Sequence, residues 1–186
     1  MSTLKKFIFI STFSLFLLHG LNGFSQHTEQ RNYFPAIGGQ VKVLQTNNEQ
    51  ETIAPSIFFK STYINNPEKS FSLGASAYPS FTCSPSNNAG TIKFGAELPL
   101  TLELYAKNVE HIDYNTFGYF FIGIGATAGF YNIRELENIY GIGPHFVLGG
   151  NVLFLRRIFG YKGSISYFGK SLQASLGLYY EIGYGY

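Results

Sequence analysis

From Leu172 to the last residue the chain alternates. Leu172, Ala174, Leu176, Leu178, Tyr180, Ile182, Tyr184 and Tyr186 are apolar or aromatic. Between them stand Gln173, Ser175, Gly177, Tyr179, Glu181, Gly183 and Gly185. A β-strand points alternate side chains to opposite faces, so this stretch predicts a strand over 172–186 with one large greasy face and one small or polar face. Strands of soluble proteins are mostly shorter. Long alternating strands, apolar outward and polar inward, are the pattern of a transmembrane β-barrel.

The first 25 residues read as a secretory signal peptide. Lys5 and Lys6 form a basic start, 7–18 (FIFISTFSLFLL) an apolar core, and Gly23 and Ser25 the small residues before a cleavage at Gln26. The apolar core is too short to span a bilayer as a helix. After residue 25 the apolar runs are brief and broken by Gly, Ser or charge. Only helices and closed barrels satisfy their backbone in lipid, so a membrane reading of this chain requires a barrel. The expected organisation is a signal peptide at 1–25, a short polar lead-in at 26–32 and a barrel at 33–186.

Composition supports this. Charged residues are 13% of the chain, where a soluble domain carries about 25%. Aromatics reach 18%, with no Trp, so interfacial rings must be Tyr and Phe. Removing Lys5 and Lys6 leaves basic and acidic side chains balanced, and no basic face for nucleic acid is visible. Cys83, the single cysteine, cannot form an intrachain disulfide.

Seven further strands are predicted, at about 33–45, 52–64, 70–82, 91–105, 117–131, 139–154 and 158–168. The turn Asn65-Asn66-Pro67-Glu68-Lys69, the stretches 83–90 and 106–115, and Gly169-Lys170 separate some of them. In 91–105, Ile92, Phe94, Ala96, Leu98, Leu100, Leu102 and Leu104 are assigned outward and Lys93, Glu97 and Glu103 inward. Pro99 argues against a paired strand, but the alternation on both sides of it outweighs that, with a bulge allowed. Eight strands close into an up-and-down antiparallel barrel whose interior is just wide enough to be filled by side chains.

The signal peptide, the eight alternating strands and the ending Tyr180-x-Ile182-x-Tyr184-x-Tyr186 resemble small Gram-negative outer-membrane barrels of the OmpA or OmpX type. The resemblance is one of architecture across nearly the whole mature chain. It implies an outer-membrane location, outer-membrane lipids as surroundings, and a C-terminal assembly signal at Tyr180, Ile182, Tyr184 and Tyr186 read by the barrel-assembly machinery. That signal usually ends in Phe, and this chain ends in Tyr.

The candidate functional residues are the inward charges Lys42, Lys60, Lys93, Glu97, Glu103, Lys162 and Glu181. Unpaired buried charge is costly, so they are expected to pair in a lumen charge network, with Tyr119, Phe121, Tyr131 and Tyr179 helping to block the axis. Glu110, His111 and Asp113 fall in a predicted loop and lack the further His or Cys that metal sites favour. His145 could neighbour Ser164 and Ser166, but these face the lumen, away from a lipid substrate. Gly123-x-Gly125 and Gly141-x-Gly143 lack the strand–turn–helix context of nucleotide loops. The expected function is a non-enzymatic outer-membrane barrel with a structural, adhesion or accessory role, without catalytic residues, metal or cofactor. A small pore, a lipid-modifying enzyme and a secreted lipocalin-like carrier are the alternatives.

Overall fold

The computed structural model describes residues 32–45, 51–65, 69–84, 91–111, 116–134, 138–154 and 157–182. The strands are β1 (Tyr33–Gln45), β2 (Glu51–Ile64), β3 (Phe71–Ala77), β4 (Ser80–Thr82), β5 (Ile92–His111), β6 (Thr116–Ile133), β7 (Ile139–Phe154), β8 (Arg157–Phe168) and β9 (Ser171–Glu181). All neighbours pair antiparallel. β1 pairs with both β2 and β9, so the sheet closes on itself. β3 and β4 lie in line between β2 and β5 and form one interrupted stave. The result is a closed eight-stranded barrel.

Two prolines explain that interruption. Tyr78 donates its N–H to the carbonyl of Pro99 at 2.9 Å, and Phe59 donates to the carbonyl of Pro79 at 2.9 Å. In an antiparallel ladder a residue's N–H and C=O point to the same neighbour. Pro79 and Pro99 have no N–H to return, so each contact keeps one bond of its pair and the ladder lapses at Tyr78–Pro79. No bulge forms at Pro99, which stays in register with Thr127 on its other side.

The bulges lie elsewhere on β5, between Ile92 and Phe94 and between Lys107 and Val109. The first overturns two assignments. Ile92 is fully buried inside the barrel. Lys93 is exposed beside Phe94, so it is not a lumen residue. A bulge places two residues opposite one, here Lys93 and Phe94 opposite Asn132, and this shifts the parity of the strand start by one. The second correction concerns 106–115. β5 continues to His111 and β6 starts at Thr116, paired through His111↔Thr116, so the expected loop shrinks to 112–115, outside the described residues. The final strand also ends earlier than 172–186 suggests. It stops at Glu181, and Tyr184 and Tyr186 fall outside the described residues.

The outside is apolar. Leu73, Leu102, Ile124, Ile142, Leu176 and Leu178 are each at least 67% exposed. Aromatics gather at both ends of this band. Tyr33, Tyr63, Phe71, Phe120 and Phe159 stand at the end that carries the chain termini, and Phe94, Phe130, Tyr140 and Tyr167 stand at the other. Phe120 and Phe130 bracket the band on β6. Ten strand residues at ~3.4 Å each, tilted by about 40°, span roughly 25 Å, the height of an outer-membrane barrel's apolar belt. Leu102→Arg, in the middle of that band, is expected to lower the free energy of folding into lipid vesicles by roughly 2–4 kcal/mol. A variant as stable as the parent in urea titration would refute the lipid-facing assignment.

Inside, rings lie over glycines on the neighbouring strand. A Cβ on Gly38 would stand 2.6 Å from the Phe58 ring, one on Gly95 2.1 Å from the Tyr131 ring, and one on Gly160 2.0 Å from the Tyr179 ring. A narrow lumen holds such rings only where the facing wall gives up its side chain. Among the described residues two buried apolar clusters result. Phe34, Phe58, Tyr78, Tyr105, Tyr119, Phe121 and Tyr179 belong to the one nearer the termini. Leu44, Ile92, Tyr131, Ile133, Ile139 and Phe168 belong to the far one.

Candidate functional site

Among the described residues, the lumen brings buried charges and hydroxyls together from most of the strands. At the far end, Lys42 of β1 and Glu97 of β5 form an ion pair at 2.6 Å, the one ion pair among the described residues. Lys42 Nζ also donates to Ser80 Oγ at 2.8 Å and to the Tyr131 hydroxyl at 3.1 Å. Tyr131 in turn donates to the other Glu97 oxygen at 2.5 Å and lies 2.8 Å from Gln173 Oε1. Both charged groups are thus desolvated but saturated, the condition under which a buried pair is tolerable.

The remaining lumen charges do not meet directly. Glu103 on β5 accepts from Ser76 at 2.7 Å, Tyr78 at 2.5 Å, Thr101 at 2.7 Å and the Tyr105 hydroxyl. Four donors on one carboxylate replace its hydration. Glu181, at the end of β9, accepts from the Tyr119 hydroxyl and from Asn151 at 3.2 Å. Lys60 donates to the hydroxyls of Tyr119 and Tyr179, each at 3.4 Å. Tyr119 therefore joins Lys60 to Glu181 as Tyr131 joins Lys42 to Glu97.

Ring faces supply the rest. Lys60 Nζ lies 4.5 Å from the centre of Phe121, 4.7 Å from Tyr179, 5.4 Å from Tyr119 and 5.9 Å from Tyr105. Lys162 Nζ stands 4.4 Å from the centre of Phe58 and 5.0 Å from Tyr78. A cation over a ring gains roughly 0.5–2 kcal/mol, with the larger values where water is excluded.

Of the seven sequence-assigned lumen charges, Lys42, Lys60, Glu97, Glu103, Lys162 and Glu181 are buried together in the interior, and Lys93 is outside. Among the described residues, Lys42 and Glu97 are the two of these charges that meet as an ion pair. The spacing of the charges does not reveal their tyrosine, Ser76, Thr101 and Asn151 partners. One local signal existed: Glu103-x-Tyr105 places a phenol on the same face as a carboxylate.

His145 Nδ1 and Ser166 Oγ are 2.7 Å apart, on directly paired positions of β7 and β8. His145 Nε2 has no hydrogen-bond partner, and both residues are buried. Among the described residues nothing orients the imidazole from behind, as an acyl-transfer site requires. Ser164 is bonded to Ser175 at 2.7 Å. No cluster of three or more His, Cys, Asp or Glu among the described residues could hold a metal ion. At the C-terminal end, Tyr180 packs its ring 5.6 Å from that of Phe159, and Ile182 donates its N–H to Pro35 at 2.8 Å.

A comparison with protein-family models and with curated protein sequences found no match. Solved structures do match. Neisserial surface protein A aligns over 82% of this chain and 97% of its own, with a TM-score of 0.54 and 7% identity. Ail, the attachment invasion locus protein of Yersinia pestis, aligns over 81% of this chain and 97% of its own, with a TM-score of 0.51 and 13% identity. The fold is that of the small Gram-negative outer-membrane barrels. Such barrels pair short turns at the end holding the termini with longer loops at the other. Here the far-end connection between β8 and β9 is the two-residue turn Gly169–Lys170, with φ of 55° and 63°, the two positive values of a type I′ hairpin. The β5–β6 ribbon instead continues past the apolar band at the termini end, from Ala106↔Phe120 out to His111↔Thr116.

Proposed function

We propose that this chain is a non-enzymatic outer-membrane barrel of a Gram-negative bacterium whose lumen is a structural plug, serving a structural, adhesion or accessory role. The observation that supports this most is the Lys60 site: four rings and two tyrosine hydroxyls converge on one ammonium at the termini end of the axis. The Lys42–Glu97–Tyr131 network fills the axis a second time at the other end. Water-filled channels belong to barrels of about twice this strand number. The apolar outer band with its two aromatic rims fits an outer-membrane location, as does the barrel fold shared with the neisserial and Yersinia proteins. Under this reading the C-terminal residues Tyr180, Ile182, Tyr184 and Tyr186 serve as the signal to the barrel-assembly machinery. Pure protein in planar bilayers is expected to give no steady single-channel current. Large, stable openings from the wild-type barrel would reject the plug in favour of a small pore.

A further inference from the structure

We propose that the barrel rim opposite the termini carries a site for the phosphate of an anionic lipid headgroup, built from Lys93 and Arg134 above Phe94, Phe130 and Tyr140. The β5 bulge makes the site. Without it, alternation would send Lys93 into the lumen. With it, Lys93 stands outside, next to Phe94 and opposite Asn132. A bulge next to a functional position commonly re-aims one side chain in this way.

The height is right for a headgroup. Phe130 pairs with Ala96 and with Tyr140, one step toward the bilayer centre from the Phe94↔Asn132 pair. Phe94, Phe130 and Tyr140 are 48%, 38% and 71% exposed, so they form the aromatic rim on this side of the barrel. A lysine just beyond such a rim lays its methylenes on the apolar edge and holds its ammonium at the phosphate level.

The chemistry is right for a phosphate. Tyr131 and Ile133 point inward, and between and beyond them Asn132 and Arg134 are half-exposed. The Arg134 backbone is fixed by its N–H bond to Thr91 at 2.9 Å, the residue two before Lys93. Its Nε is buried and has no partner. Asn132 and Asn138 are joined at 2.7 Å and add amide groups to the same patch. Neither Lys93 nor Arg134 is in an ion pair among the described residues. Lys93 at the β5 bulge and Arg134 just past the end of β6 lie on adjacent strands at the same rim, and a guanidinium fork and an ammonium supply the donors that the oxygens of a phosphate accept. Glu135 and Glu137 follow Arg134 in sequence, outside the described residues. As the acidic residues next in sequence, they set one arm of the test.

The site rests on the bilayer-spanning reading. The test inserts the wild type, the Lys93→Ala/Arg134→Ala double variant, the Glu135→Gln/Glu137→Gln double variant and Lys170→Asn into vesicles of phosphatidylcholine mixed with phosphatidylglycerol. Heat-modifiable gel migration verifies the folded barrel in each. The readout is immobilisation of spin-labelled phosphatidylglycerol relative to spin-labelled phosphatidylcholine. The wild type is expected to prefer the anionic lipid by roughly five-fold. Lys93→Ala/Arg134→Ala loses most of that preference, and Lys170→Asn, on the same rim at the β8–β9 turn, keeps it. An unchanged preference in the Lys93/Arg134 variant overturns the site. So does a preference seen only in the Glu135/Glu137 variant, because the cations are then already neutralised within the chain. Displacement of the labelled lipid by inorganic phosphate at equal concentration overturns the lipid as the natural occupant. Failure of the wild type to insert overturns the membrane reading together with the site, and is thereby distinct from loss of the site alone.

Discussion

Replacing Glu97 with alanine is expected to cost roughly 3–5 kcal/mol of stability, because it strands the Lys42 ammonium in a dry interior. Lys42 is only 1% exposed. With the carboxylate gone it keeps the hydroxyls of Ser80 and Tyr131, which satisfy its geometry but not its charge. The Tyr131 hydroxyl loses its 2.5 Å acceptor in the same step. The Lys42→Met/Glu97→Ala double variant is expected to recover most of the loss, since removing both members of a buried pair is far less harmful than removing one. Urea unfolding in lipid vesicles measures both variants against the parent. A single variant no weaker than the double one would mean that lumen water screens Lys42, and the far-end plug would not be dry.

The second large effect concerns fit rather than charge. Gly95→Ala places a Cβ 2.1 Å from the Tyr131 ring. That ring cannot swing aside freely, because its hydroxyl is held among Lys42, Glu97 and Gln173 and its face is stacked on Phe168 at 5.9 Å. Overpacking of this kind costs roughly 1–3 kcal/mol. The penalty is expected to shrink in a Tyr131→Ala background, where the ring is absent, so the two substitutions are non-additive. Gly39→Ala is the matched control. Nothing lies within 4 Å of a Cβ there, and its effect is expected to stay within about 0.5 kcal/mol. Equal losses at Gly95 and Gly39 would show that glycine serves the strand backbone rather than the ring.

The barrel itself was legible because lipid on one side and a packed lumen on the other force a period of two along every stave. β1 spans Tyr33–Gln45 and β7 spans Ile139–Phe154, as the alternation indicates. Legibility failed where that force stops. Past the apolar band nothing imposes alternation, so 107–111 looked like loop although the chain continues there as paired strand. It failed again at Ile92, where an isoleucine suits lipid and a buried cluster equally well, so the bulge that moves Lys93 outside leaves no mark in the pattern. Within the lumen, alternation identified which charges point inward. It could not tell that Glu103 would be satisfied by Tyr78 and Ser76 from another stave. That depends on which residues share a level across the closed sheet, a property of register rather than of spacing.

The closure of β1 on β9 fixes the order of events in assembly. Ala36 must find Glu181, and Gln45 must find Leu172, so the first strand waits for nearly the whole polypeptide before its second edge is covered. Contacts so distant along the chain form late and slowly. Until then the sheet has two raw margins, each with a row of unanswered amides and carbonyls ready to take a strand from another copy. Crowded nascent chains thus compete with self-closure, and the yield of finished barrel is expected to fall as their concentration rises. A truncation before Leu172 would leave both margins open for good, whatever the rest of the sheet had achieved.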